Sequence, residues 1–267
     1  MKQTAFYEYY HDRNSNFVFF KNKTPITESV DAHFHRCIEV MYISEGRLRA
    51  EVDGEVFTAE KDDIIFVRRC AVHELHPDPG FTHYVLIVKS AYANDFDPDL
   101  EKETFPPLLS DKEFNRALLS ECFEKMDRAD VKDNFLVAKG YVDIFMGRLL
   151  SHYERRPAES APNLSTVVSV LNYIDDHYAE NITLDDLARR FGYNKYYFSR
   201  LFNAYIGENL NNYINMVRVQ KLVAAASKKE KENFSDLAYD FGFDSMTTFY
   251  RHFSRIYGKT PKEILRK

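Results

Sequence analysis

Apolar and polar positions divide the chain into two parts with different periods. From about Phe17 to Val88 the apolar residues fall in short β-rich runs: Val40 to Ile43, Leu48 to Val52, Ile64 to Val67 and Tyr84 to Val88. Turn residues separate these runs, at Glu45-Gly46, Asp53-Gly54 and Pro77-Asp78-Pro79-Gly80. Many short strands at this spacing predict a sandwich or small barrel. The period then lengthens. Segments Asp111 to Asp127 and Asp133 to Glu154 carry apolar residues at helical spacing, among them Phe135, Leu136, Tyr141, Ile144, Phe145 and Leu149. They predict two antiparallel helices packed on the barrel or on a partner.

Arg155 to Asn163 contains two prolines and small residues without an apolar period, which reads as a linker. Helices fill the remainder. The pattern predicts an amphipathic helix over Thr166 to Tyr178, a second capped by Thr183, a third from Asn194 through Asn203, and a long one over about 210–226. Ser235, and Asp244 or Ser245, are the expected caps further on. The expected architecture is α+β in two domains: a strand-rich domain with two following helices over 1–154, a linker over 155–163, and an all-α domain over 164–267.

The helical domain contains a near-duplicate. Leu187-Ala188, Gly192-Tyr193, Phe198-Ser199-Arg200-Leu201-Phe202 and Gly207 are matched by Leu237-Ala238, Gly242-Phe243, Phe249-Tyr250-Arg251-His252-Phe253 and Gly258. Each copy reads as a helix, a glycine turn and a second helix with an Arg beside aromatic anchors, the order of a helix-turn-helix. The Leu-Ala pairs, Phe198, Leu201, Phe202, Phe249 and Phe253 read as core. Gly258-Lys259-Thr260 imitates the end of a P-loop, but Phe253 stands where that loop needs glycine, so it reads as a turn.

Charge changes the picture only in its distribution. The chain of 267 residues has 36 Lys and Arg against 41 Asp and Glu, a net charge of −5. From Leu164 onward the count is 15 against 12, leaving 21 against 29 for the rest, so only the helical half is suited to phosphate. Cys37, Cys70 and Cys122 show no CxxC pairing, which points to reduced thiols in a cytoplasmic protein. No apolar run is long enough to span a bilayer, so no membrane partner is expected. The amino-terminal residues lack an apolar signal core.

Residues 166–267 resemble the carboxyl-terminal domain of the AraC/XylS family of transcription regulators, the most specific stretch being Asp236 to Ser245 followed by Phe249 to Phe253 and Gly258 to Pro261. The resemblance implies that the helix after each glycine is a recognition helix. The implied DNA-facing residues are Asn194, Lys195, Tyr196, Ser199 and Arg200 in one copy. In the other they are Ser245, Met246, Thr247, Thr248, Tyr250 and Arg251. Met246 stands where a polar residue is common and suggests contact with a thymine methyl. The long helix would join the two units so that both enter one face of double-stranded promoter DNA about one turn, roughly 34 Å, apart.

In the strand-rich half, His33-Phe34-His35 with Glu39 and Gly46 resembles the first cupin motif, and His73 stands in the place of the second motif's histidine. On one strand, positions 33, 35 and 39 would share a face. Asp62-Asp63 and Arg68-Arg69-Cys70 depart from the second motif. Three readings of these residues stay open. His33, His35, Glu39 and His73, with Tyr42, line an effector pocket; the four ligate a divalent metal; or the histidines are structural. The first is preferred, with no cofactor expected. His76 and His83 read as surface or rim residues.

Taken together, the resemblance implies a cupin-like effector-binding and dimerisation domain joined to a double helix-turn-helix. The chain would be a homodimeric transcription regulator, an activator by family habit, that meets RNA polymerase and responds to a small molecule such as a carbohydrate. Two alternatives remain: a regulator whose barrel only dimerises or binds protein, and a metal-dependent cupin enzyme fused to a DNA-binding domain. The preferred reading is not an enzyme.

Overall fold

A computed structural model describes residues 6–8, 16–26, 28–96, 100, 103–132, 134–158, 162–226 and 234–265. The chain divides into two compact units, Met1–Ser160 and Ala161–Lys267.

The first unit is built on nine strands: β1 (Phe6–Tyr7), β2 (Phe17–Ile26), β3 (Val30–Phe34), β4 (Ile38–Glu45), β5 (Arg47–Val52), β6 (Glu55–Glu60), β7 (Ile64–Val67), β8 (His73–Pro77) and β9 (Phe81–Val88). Two-residue strands β10 (Glu103–Thr104), β11 (Leu108–Leu109) and β12 (Arg156–Pro157) complete the pairing. One five-stranded sheet runs β1-β3-β8-β5-β6, a second runs β11-β7-β4-β9-β2, and β10 and β12 form a two-stranded sheet of their own. The helices are α1 (Ser90–Phe96), α2 (Lys112–Leu118), a π-helical turn at Leu119–Phe123, α3 (Glu124–Met126), α4 (Ala129–Lys132) and α5 (Phe135–His152).

Strands β4, β7 and β9 are apolar on both faces because both faces are covered. Met41, Ile43, Ile65, Val67, Val85 and Ile87 meet Leu48, Ala50 and Val52 between the sheets. Their neighbours Ile38, Val40, Tyr42, Ile64, Phe66, Tyr84, Leu86 and Val88 pack under Leu118, Phe123, Val142, Phe145, Met146 and Leu149. Each such side chain contributes roughly 1.5–3 kcal/mol on burial. The two expected helices therefore lie on the barrel. Asp111 caps α2 by accepting from the amide of Phe114 at 3.1 Å, and Asn134 caps α5 through the amide of Val137 at 3.3 Å. Asp133 lies outside the described residues.

The expected linker is only partly irregular. Arg156 and Pro157 pair antiparallel with Thr104 and Glu103, and the Arg156 guanidinium meets Glu55. Glu159, Ser160 and Ala161 lie outside the described residues.

The second unit holds α6 (Pro162–His177), α7 (Leu184–Arg190), α8 (Lys195–Ile206), α9 (Leu210–Ala226), α10 (Phe234–Asp240), α11 (Met246–Tyr257) and α12 (Pro261–Leu265). Helix α6 begins four residues before the expected Thr166, at a proline whose fixed φ suits a first helical turn. Thr183 caps α7 by accepting from the amide of Asp186, and α8 runs to Ile206, past the expected Asn203. Ser235 stands inside α10, not at its cap. Val219, Leu222 and Val223 of α9 pack with Leu237, Ala238, Phe243, Phe249 and Phe253, so the long helix forms a wall of the second unit's core.

Candidate nucleic-acid interface and barrel cavity

The two copies are built alike. Leu187, Ala188, Leu237 and Ala238 are buried. Gly192 and Gly242 end α7 and α10 at φ 77° and 87°, the left-handed region that favours glycine. The two glycines differ in surroundings. A Cβ on Gly192 would meet nothing within 4 Å, whereas one on Gly242 would lie 2.7 Å from the carbonyl oxygen of Ala179 and 2.9 Å from Nε of Arg218.

Phe198 and Phe202 anchor one side of α8 in the core. The other side presents Tyr196, 81% exposed, with exposed Lys195 and Arg200 and half-buried Ser199. Lys195 donates from Nζ to Asp185 at 2.7 Å, an exposed pair that phosphate can replace at little cost. Asn194 is the cap of α8, accepting from the amide of Tyr197 at 2.9 Å. On α11, Phe249 and Phe253 are buried, while Thr247, Tyr250 and Arg251 are exposed. Thr248 is half-buried; its amide donates to Ser245 at 3.3 Å. Met246 departs from expectation: it packs against the core formed with α9. Its apolar side chain gains more from that cluster than from water.

Sequence reasoning passed over Arg218. Buried on α9, it donates from Nε to the carbonyl of Tyr178 at 2.7 Å and from Nη2 to that of Glu180 at 2.8 Å. Its guanidinium also lies over Phe243, 5.9 Å from the ring centroid. It thereby ties the end of α6, the long helix and the turn after Gly242. The available signal is a charged residue inside the short apolar run Met216 to Val219 of α9.

In the barrel, His33, His35 and His73 come together, with one ring nitrogen of each within 4.8 Å of the others. They do not share a strand. His33 is on β3, His73 pairs with it from β8, His35 lies in the turn between sheets, and Glu39 is on β4. Each Nδ1 donates to a backbone carbonyl two residues away: Asp31 at 2.9 Å, Cys37 at 3.2 Å and Ala71 at 3.0 Å. The Nε2 atoms are thus turned towards one another. Glu39 Oε2 lies 2.9 Å from Nε2 of His35 and 3.5 Å from Nε2 of His73. Burial would push the Glu39 carboxyl up, but these two imidazoles hold it well below the usual carboxylate range.

Beside this cluster is a cavity of about 310 Å³. Met41, Leu48, Phe81, Val85 and Ile87 wall it, and Glu8, Glu28, Glu39, His33 and His83 supply polar groups. His83 corrects the expectation of a rim residue: it is 5% exposed, and burial lowers its imidazole to about 4. His76 is half-buried and meets Ser29 at 3.0 Å. Tyr42 is a second correction. It is on the opposite face of β4 from Glu39 and Met41, buried under the helices, and donates to Asp62 at 2.5 Å. Arg116 holds the same carboxylate from α2, at 2.5 Å.

Models of two families match the chain: an AraC-like ligand binding domain over residues 20–139 and a helix-turn-helix domain over residues 187–267. The Tn10 TetD protein of Escherichia coli is 34% identical over 97 residues, covering 36% of this chain and 70% of that one. The regulatory protein SoxS of Salmonella typhimurium is 32% identical over 98 residues, covering 36% and 90%. Among solved structures, fatty-acid-bound ToxT of Vibrio cholerae aligns over 95% of this chain and 96% of its own, at 14% identity and a TM-score of 0.42.

Proposed function

From the premise that this chain belongs to the AraC family of DNA-binding transcription regulators, we propose that it is a homodimeric, cytoplasmic activator controlled by a small molecule in the barrel cavity. The observation that carries the DNA-binding part is the paired faces of α8 and α11, each with an exposed arginine beside buried aromatic anchors. Arg200 and Arg251 are assigned to base edges or phosphates, with Tyr196, Ser199, Thr247, Thr248 and Tyr250 beside them. The exposed Phe135, Leu136 and Ile144 of α5, at 51, 78 and 44%, support pairing through that helix. Ligand control then requires tighter binding to one arrangement of the protein than to the other.

A second reading of the barrel rests on one observation. Three imidazoles each bring one ring nitrogen within 4.8 Å of the others, two of them with Nε2 beside Glu39, and these residues suit a divalent transition metal. His33, His35, His73 and Glu39 would hold it, and it would supply a fixed cationic centre beside the cavity.

Selection of genomic fragments by the full chain tests the proposal. Enriched fragments sharing two half-sites about one turn apart support it. A protein that enriches nothing at low salt, where phosphate contacts are strongest, is not a DNA-binding regulator without its effector.

A further inference from the structure

We infer that the barrel cavity takes a small organic cation, an ammonium or guanidinium carried on an apolar body, and excludes carboxylates and phosphates. The inference rests on the effector-binding reading and adds the chemical class. Its first support is the set of charges. Three carboxylates, Glu8, Glu28 and Glu39, line the cavity, and no lysine or arginine does so among the described residues. An anion entering would lose its water and meet the like charge of these carboxylates.

Its second support is an acceptor left over once the protein's own bonds are made. Nε2 of His35 bonds to Glu39 Oε2 at 2.9 Å, Nε2 of His73 lies 3.5 Å from the same oxygen, and among the described residues no hydrogen bond reaches Oε1. A ligand N–H supplies a partner for that oxygen. His83 lies on β9 and Glu39 on the adjacent β4, both facing the same cavity.

Its third support is the wall. Phe81 is stacked on His83 with centroids 4.7 Å apart, and Met41, Leu48, Val85 and Ile87 complete an apolar surface. Carbon chains gain there what they lose in water, and a cation over an aromatic face is attracted to it. The head group and the body of the ligand are thus read by different parts of one cavity.

The test is thermal shift and calorimetric titration of the full chain with hexylamine, hexanol, sodium hexanoate and zinc chloride. Hexylamine is expected to raise Tm and hexanoate to leave it unchanged, because binding to the folded state alone stabilises it. Glu39→Gln is expected to weaken hexylamine at least about tenfold. His83→Leu, which leaves the histidine–glutamate cluster intact, is expected to weaken it as well. Hexanoate binding as tightly as hexylamine overturns the cationic class and leaves the effector reading standing. A hexylamine response that survives both substitutions overturns the placement. Zinc raising Tm while hexylamine does not overturns it in favour of the metal centre. Silence from all three organic probes overturns the cationic class on an apolar body and leaves the effector reading to ligands of other chemistry.

Discussion

Arg218 donates to the carbonyl oxygen of Tyr178 at 2.7 Å across forty residues of sequence. This bond, with the one to Glu180, closes the end of α6 on α9 and places a buried guanidinium beside Gly242. Burial lowers the Arg218 pKa, yet the group stays charged because Arg ordinarily titrates far above neutrality. Its charge is distributed over two carbonyls instead of a carboxylate, which fixes geometry at both. The two helix-turn-helix copies are joined by this contact and by the ion pair of Arg255 with Glu208, as well as by the long helix itself.

Arg218→Met keeps much of the apolar stem and removes both donors. It is expected to cost about 2–4 kcal/mol, since hydrogen bonds from charged groups are worth more than neutral ones and two carbonyls lose their partners. Urea unfolding of the full chain, followed on the helical signal, measures it. A change below about 0.5 kcal/mol, the range of ordinary surface substitutions, contradicts the assigned role.

Gly192→Ala and Gly242→Ala differ sharply in expected cost. Both place alanine in a left-handed conformation, for about 1–2 kcal/mol. Only at Gly242 does the new Cβ also strike backbone, at 2.7 Å from Ala179 oxygen. The second variant is expected to lose clearly more stability than the first in the same unfolding assay. Equal losses would show that the close approach at Gly242 is not maintained in solution.

Much of this was legible in the residues. The duplication located both glycine turns, both buried Leu-Ala pairs and the aromatic anchors, because helical spacing and a left-handed glycine leave few alternatives. Strand parity misleads in the barrel. It puts residues 33, 35 and 39 on one strand, whereas β3 ends at Phe34 and β4 begins at Ile38, so their meeting arises from a turn between sheets. The same parity, counted along β4, separates Tyr42 from Glu39 and identifies the tyrosine as a helix contact. His83 was not legible: its burial depends on the pairing of β9 with β2 and β4, long-range registers that local pattern does not encode. The packing of Met246 is hidden for a similar reason, since the cluster it packs against draws on α9.

Tyr42→Phe separates the two faces of β4. Asp62 loses the 2.5 Å bond from the hydroxyl but keeps Arg116, so a loss of about 1–3 kcal/mol is expected. Affinity for any ligand of the barrel cavity is expected to remain unchanged by titration. Lost ligand affinity at unchanged stability would return Tyr42 to the cavity.

The three thiols provide a readout of the barrel's integrity. Cys37, Cys70 and Cys122 are buried, and burial pushes the Cys122 thiol up to about 12. Reactivity requires exposed thiolate. Native protein is therefore expected to titrate with a thiol reagent only on unfolding, when all three react; fast reaction in the native state contradicts their burial.

The central claim is that α8 and α11 read one DNA face as a coupled pair. A fragment enriched by the full chain, and a copy with about 5 base pairs inserted between its half-sites, half a helical turn, test it by fluorescence anisotropy at one fixed salt concentration. The account predicts at least about tenfold weaker binding to the inserted fragment, since the joined units then face opposite sides and lose the gain of linked binding. Equal affinity for the two fragments would contradict it.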